Sequence, residues 1–180
     1  TFLDPLFRRN PVWISEFQVV VGMIIQSIEG RAALIRHLAR SPPWLDRFFY
    51  QAATQEPNLD GLSKLVLDMR GKDVRGFDEL SSFVMRKLIH KKRYAKALRL
   101  RAFTMTQADL ELDGYIFNAR LSVRPANRPF GWHFRSNSAV SIDWQADRPS
   151  DGYLKLEFRG SPLKLVYVQQ NLRLPQGNYR

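Results

Sequence analysis

The spacing of apolar residues changes about three-fifths of the way along this chain, and that change constrains its fold more than any single motif. Up to about Thr106 the apolar side chains recur at helical intervals; beyond Gly114 they alternate at strand intervals, among many aromatics. The two patterns do not interleave. A chain so ordered builds a helical layer followed by a β layer, not the alternation of a parallel α/β sheet. The expected class is α+β, with an α-helical domain over residues 1–106 and an antiparallel β domain over 107–180. That layout suits a scaffold with a binding surface better than a single catalytic domain.

In the first part, Phe17, Val20, Val21, Ile24, Ile25 and Ile28 follow the i, i+3, i+4, i+7 rule of a helix with one buried face. Ser15 and Gln18 are spaced as a capping box, and Gly30 as a C-terminal stop. A second helix is expected from about Arg31 to Arg40, broken by Ser41-Pro42-Pro43. Trp44, Leu45, Phe48, Phe49 and Ala52 mark a third. Leu62, Leu65, Val66 and Met69 mark a fourth, closed by Gly71. Leu80, Phe83, Val84 and Leu88 mark a fifth, and Tyr94, Ala97, Leu98 and Ala102 a sixth. Only His90, Lys91 and Lys92 separate the last two, so they should form an antiparallel hairpin. The succession fits an α-solenoid or a small bundle. The most apolar stretch, Phe17 to Ile28, is shorter than the roughly 20 residues a bilayer-spanning helix needs. It reads as a buried core helix, and no transmembrane segment is expected.

Gln107 to Gly114 is an acidic-polar hinge. Five strands are expected after it: Tyr115–Phe117, Phe130–Phe134, Val140–Trp144, Leu154–Phe158 and Leu163–Val168. Turn residues such as Pro125-Ala126-Asn127-Arg128-Pro129 and Arg159-Gly160-Ser161-Pro162 separate them. Short strands so punctuated argue for an antiparallel sandwich or jelly roll. Leu174 to Arg180 reads as a turn and the opening of a further strand, so the sandwich is expected to be incomplete. The chain opens on Thr1 without a basic leader, which carries no weight about targeting.

The hairpin ending Lys92-Arg93-Tyr94-Ala95-Lys96-Ala97-Leu98 is similar to the second half of a tetratricopeptide-like unit. Gly114-Tyr115-Ile116-Phe117-Asn118 follows, then Arg128-Pro129-Phe130-Gly131-Trp132, and finally Leu174-Pro175-Gln176-Gly177-Asn178-Tyr179-Arg180. Over residues 80–180 this succession resembles bacterial proteins in which tetratricopeptide-like helices precede a galactose-binding-like β-sandwich. The resemblance implies an exopolysaccharide or envelope association, and with it a periplasmic or extracellular address. Where that family usually has a small acidic residue after Asn118, this chain has Ala119-Arg120. The departure removes support for a calcium or sugar site at the sandwich entrance.

Two clusters are candidates for binding. Phe130, Trp132 and Phe134 alternate with Gly131 and His133, which would set three rings on one strand face, joined by Trp144, Tyr153 and Tyr167. They are either the core of the β part or a platform for sugar faces, with Trp132, His133, Arg135 and Trp144 as the carbohydrate contacts. The second cluster is cationic. The chain has a formal charge of +11, and between Leu80 and Ala108 it has no Asp or Glu. Lys87, Lys91, Lys92, Arg93, Lys96 and Arg99 in that window could meet an acidic protein partner, an anionic glycan or lipid, or nucleic acid. No helix-turn-helix, zinc-finger or ribonucleoprotein signature accompanies them.

The chain has no cysteine, which excludes a disulfide framework, a thiolate zinc site and a cysteine nucleophile. His37, His90 and His133 have no ligand-forming companion at i+3 or i+4. Nucleophile elbows, phosphate-cradling loops and dinucleotide fingerprints are missing. The expected function is a non-catalytic binding or scaffold protein without a cofactor. Its helical part would dock a protein partner and its β part contact carbohydrate or protein. The alternative is a nucleic-acid-binding protein that uses the basic hairpin around residues 86–101.

Overall fold

The computed structural model describes Arg9 and residues 18–40, 45–54, 58–72, 74, 76–126, 128–148, 151–160 and 167–172. Among these the protein is mixed α+β, with seven helices followed by two antiparallel sheets of two strands each. The chain divides into two compact units, Thr1–Thr104 and Met105–Arg180.

The first unit opens with α1 (Gln18–Gln26) and α2 (Ile28–Leu38). The expected helix through Ile28 is broken at Ser27, whose hydroxyl accepts the Gly30 N–H at 2.9 Å and starts α2. Gly30 is therefore a first-turn residue, not a stop. A Cβ there would press on the Ile24 carbonyl oxygen and lie 2.5 Å from Ser27 Oγ, so the sharp junction requires glycine. The break also shifts the buried face. Val21 and Ile25 are buried, whereas Val20 is 41% and Ile28 71% exposed. Phe17, the Ser15 cap, Ser41-Pro42-Pro43 and Trp44 lie outside the described residues.

Next come α3 (Leu45–Thr54), α4 (Asn58–Met69), α5 (Phe77–His90) and α6 (Tyr94–Thr104). On α4, Leu59, Leu62, Leu65, Val66 and Met69 are no more than 1% exposed. The reason is topological: α4 packs against α1, α2, α3, α5 and α6. α4 is thus the central helix of the unit, a contact pattern that an α-solenoid of helical hairpins and a small bundle both allow. Burial of five large side chains at about 2 kcal/mol each makes α4 its main apolar anchor.

The short link between α5 and α6 is closed by a Schellman motif. Arg93 N–H returns to Leu88 O at 2.8 Å and Lys92 N–H to Ile89 O at 2.9 Å. Lys92 occupies the left-handed position at φ 57°, where glycine is the usual residue. The expected antiparallel hairpin is present.

In the second unit the segment read as a hinge contains a short helix, α7 (Gln107–Glu111). Thr106 and Asp109 cap it reciprocally: Thr106 N–H donates to Asp109 Oδ2 at 3.0 Å, and Asp109 N–H to Thr106 Oγ1 at 3.2 Å. Tyr115–Phe117, expected as a strand, is a run of bends and turns. The strands are β1 (His133–Arg135), β2 (Val140–Arg148), β3 (Asp151–Phe158) and β4 (Tyr167–Gln169). β1 pairs with β4 and β2 with β3, both antiparallel.

The strands of the β2–β3 hairpin are longer than expected. Its register sets Val140, Ile142 and Trp144 opposite Phe158, Leu156 and Leu154 on one face. Ser141, Asp143 and Gln145 face Glu157, Lys155 and Tyr153 on the other. Ala139, Val140 and Ile142 form a buried cluster against which Phe134 and Leu154 pack. Phe130 does not extend β1. It sits in a turn at φ 61° and is 4% exposed, so the three-ring strand face does not form. The first half of the strand expected at Leu163–Val168, and the segment Leu174–Arg180, lie outside the described residues.

Candidate functional site

Among the described residues of the helical unit, a groove of about 310 Å³ lies between α4 and α6. Its walls are Asp60, Ser63, Lys64 and Leu67 from α4 and Lys96, Arg99 and Leu100 from α6. Helical spacing explains the set. Asp60, Ser63, Lys64 and Leu67 stand at i, i+3, i+4 and i+7, and Lys96, Arg99 and Leu100 at i, i+3 and i+4. The α5–α6 hairpin folds α6 back beside α4 and so brings the two rows together.

Asp60 is the only carboxylate among these lining residues. It accepts both Arg93 Nη2, at 2.9 and 2.8 Å, and Lys96 Nζ, at 2.6 Å. Lys96's hydrogen bond, opposed by partial burial and reinforced by Arg93, holds the Asp60 carboxyl below its ordinary value. A carboxylate with a lowered pKa contributes stability above its unfolded value, and loses that contribution as pH falls through the folded value. The Asp60 side chain is 40% exposed, so this stabilisation is strongly screened. Acid titration followed by NMR should find Asp60 still ionised below pH 3.8, the ordinary value, its hydrogen bonds to Arg93 and Lys96 breaking only at lower pH.

Lys64 and Arg99 are exposed and have no side-chain partner among the described residues. The groove thus offers two uncommitted cations beside Leu67 and Leu100, with Asp60 already paired to Arg93 and Lys96. Such a surface takes a carboxylate or another oxyanion on a partly apolar carrier. Lys64 carries no signal in the sequence, because it lies outside the acid-free window and only the packing of α6 on α4 gives it a role.

The other cations of the window are dispersed. Lys87 Nζ lies 5.6 Å from the Tyr50 ring centre and 5.5 Å from that of Phe83, so it is held between α3 and α5. Arg93 and Lys96 turn towards Asp60. Lys91 and Lys92 are exposed on the connector. Lys87 and Lys96 thus reach different neighbouring helices, α3 and α4. Arg93 and Lys96 draw their counter-charge from Asp60 on α4, which sequence spacing does not reveal.

In the β unit the aromatic candidates meet at a loop. Trp132 Nε1 donates to Asn118 O at 3.0 Å, and Trp144 Nε1 to Leu121 O at 2.7 Å. Both rings are half-buried and both N–H groups are committed to main-chain carbonyls. Asn118 and Leu121 are left-handed, at φ 50° and 52°. For leucine that conformation costs about 1–2 kcal/mol, which the two indoles and the Gly152 N–H to Arg120 O bond, 2.9 Å, help to offset. His133 is half-buried and Arg135 exposed on β1, in the other sheet. Tyr153 does not join Trp144. It lies on the opposite face of the hairpin, its hydroxyl donating to Gln145 Oε1 at 2.8 Å.

No family model, curated protein or solved structure matches this chain. What it can do is therefore read from its own geometry. Among the described residues no three His, Asp or Glu side chains cluster to hold a metal ion. Among the described residues the carboxylates whose titration is displaced are Asp60 and Glu157, each because a lysine hydrogen-bonds it at the surface. No described helix is long and apolar enough to cross a membrane.

Proposed function

We propose that this protein is a non-catalytic binding or scaffold protein whose helical unit docks an acidic segment of a protein partner in the α4–α6 groove. The observation that carries this reading is the pair of unengaged cations, Lys64 and Arg99, beside Leu67 and Leu100, in a groove whose one lining carboxylate, Asp60, is already paired to Arg93 and Lys96. A partner's Asp or Glu side chains would find charge there, and its apolar residues would find Leu67 and Leu100. The β unit, read as an incomplete sandwich or jelly roll, would contact carbohydrate or protein through Trp132, His133, Arg135 and Trp144. A place in exopolysaccharide or envelope assembly follows from the tetratricopeptide-like and galactose-binding-like resemblance alone.

A fluorescently labelled polyglutamate peptide tests the first part. Lys64→Glu combined with Arg99→Glu is expected to weaken its binding at least about tenfold, the equivalent of about 1.4 kcal/mol. Asp60→Asn, which releases Arg93 and Lys96, should tighten it. Unchanged affinity in the double variant would contradict the reading. The nucleic-acid alternative predicts tighter binding of single-stranded oligonucleotides than of the peptide. That binding would fall steeply with salt and be lost when Lys91, Lys92 and Arg93 are reversed to Glu.

A further inference from the structure

The two edges of the β2–β3 ribbon differ. On β2 three of the amides facing away from β3, those of Val140, Ile142 and Trp144, are covered. Val140 N–H donates to Asn137 Oδ1 and Ile142 N–H to Ser136 Oγ, both at 3.0 Å, and Trp144 N–H to the adjacent Asp143 Oδ1 at 2.9 Å. On β3, antiparallel alternation turns the main-chain groups of every second residue away from β2. The Gly152 N–H, which reaches Arg120 O, identifies the outward set as the even-numbered residues. Leu154, Leu156 and Phe158 follow in that set, and none has an outward partner among the described residues. Their side chains share the apolar face, where Leu156 is 43% and Phe158 68% exposed.

An open edge beside exposed apolar side chains is a template for another strand unless charge protects it. Here Lys155 is offset two residues later by Glu157, so the strand carries both signs and repels nothing by itself. We propose that this edge pairs with the same edge of a second copy of the chain. The two β3 strands would run antiparallel about a two-fold axis at Leu156, continuing one sheet through both copies.

Charge selects that register. Centred on Leu156, Lys155 faces the partner's Glu157 and Glu157 faces the partner's Lys155, while Leu154 meets the partner's Phe158. The outward N–H and C=O groups of Leu154, Leu156 and Phe158 then bond across the axis. Centring on Lys155 or on Glu157 sets like charges opposite each other. Centring on Leu154 sets Asp151 against the partner's Glu157, and centring on Phe158 runs past the end of the strand. Like charges directly opposite are destabilising, and opposite charges stabilising.

Sedimentation equilibrium of the whole chain, from low micromolar to several hundred micromolar, tests this inference. The chain is expected to dimerise. Glu157→Lys and Lys155→Glu should each weaken the dimer by about tenfold or more, since both symmetric pairs become repulsive. An equimolar mixture of the two variants should restore dimerisation, because one chain then carries two acids where the other carries two lysines. Lys155→Glu also faces Asp143 within the ribbon. Should that variant fail to fold by circular dichroism, Glu157→Lys, which faces Ser141, decides the matter by itself. A chain monomeric throughout, or a dimer indifferent to Glu157→Lys, would overturn the proposal.

Discussion

Replacing Arg31 with methionine is expected to cost the helical unit about 2–3 kcal/mol and to lower its melting temperature by about 10–20 °C. Arg31 is 6% exposed, yet it is charged. Its guanidinium joins three helices. Nε donates to Asp68 Oδ2 on α4 at 2.6 Å, and Nη1 to the carbonyls of Ile25 and Gln26 at 3.2 and 3.0 Å. Those carbonyls lie in the last turn of α1, where helix carbonyls draw on partners from outside the helix. Methionine fills the space of the stem but leaves both acceptors and Asp68 without their donor. Asp68 is 42% exposed and can rehydrate, which keeps the loss below that of a fully buried pair. Chemical denaturation followed by far-ultraviolet circular dichroism measures the change. A loss under about 0.5 kcal/mol, the size of an ordinary surface substitution, would show that Arg31 does not tie the three helices together.

Gly152→Ala should cost the β unit about 3 kcal/mol. A Cβ at this position would press on the Leu121 carbonyl oxygen and lie 2.6 Å from Trp144 Nε1 and 3.1 Å from Gln145 O. The first two are the partners of the hydrogen bond that holds the left-handed loop. The methyl group forces them apart, so overpacking of about 1–3 kcal/mol adds to a lost bond of about 1 kcal/mol. Tryptophan emission during urea unfolding follows the change. Wild-type stability in the alanine variant would contradict the role given to this contact.

The order of the two kinds of structure was readable because periodicity reports burial directly. Helical spacing at Leu62, Leu65, Val66 and Met69 marks a face that the fold does bury, and the Val140–Trp144 and Leu154–Phe158 alternation marks one apolar face of a ribbon. Junctions were less legible. Ser27 interrupts an unbroken apolar pattern because a hydroxyl cap and the glycine three residues later permit a turn that periodicity cannot register. Phe130 alternates with Trp132 and Phe134 as a strand would, yet the Gly131 N–H to Arg128 O bond, 2.9 Å, makes a turn there instead. The site was legible only in part. Lys96 and Arg99 stood out in an acid-free run, but their counterparts Asp60 and Lys64 lie some 35 residues earlier and meet them only through tertiary packing. Arg31, charged and at a helix start, gives no sequence sign of being buried.

Amide NMR of the isotope-labelled chain during titration with polyglutamate addresses the α4–α6 groove most directly. The account predicts chemical-shift changes concentrated at Asp60, Ser63, Lys64 and Leu67 and at Lys96 to Leu100, diminishing as salt is raised. Changes confined to the segment from Trp132 to Phe158, or none with peptide in excess, would contradict it.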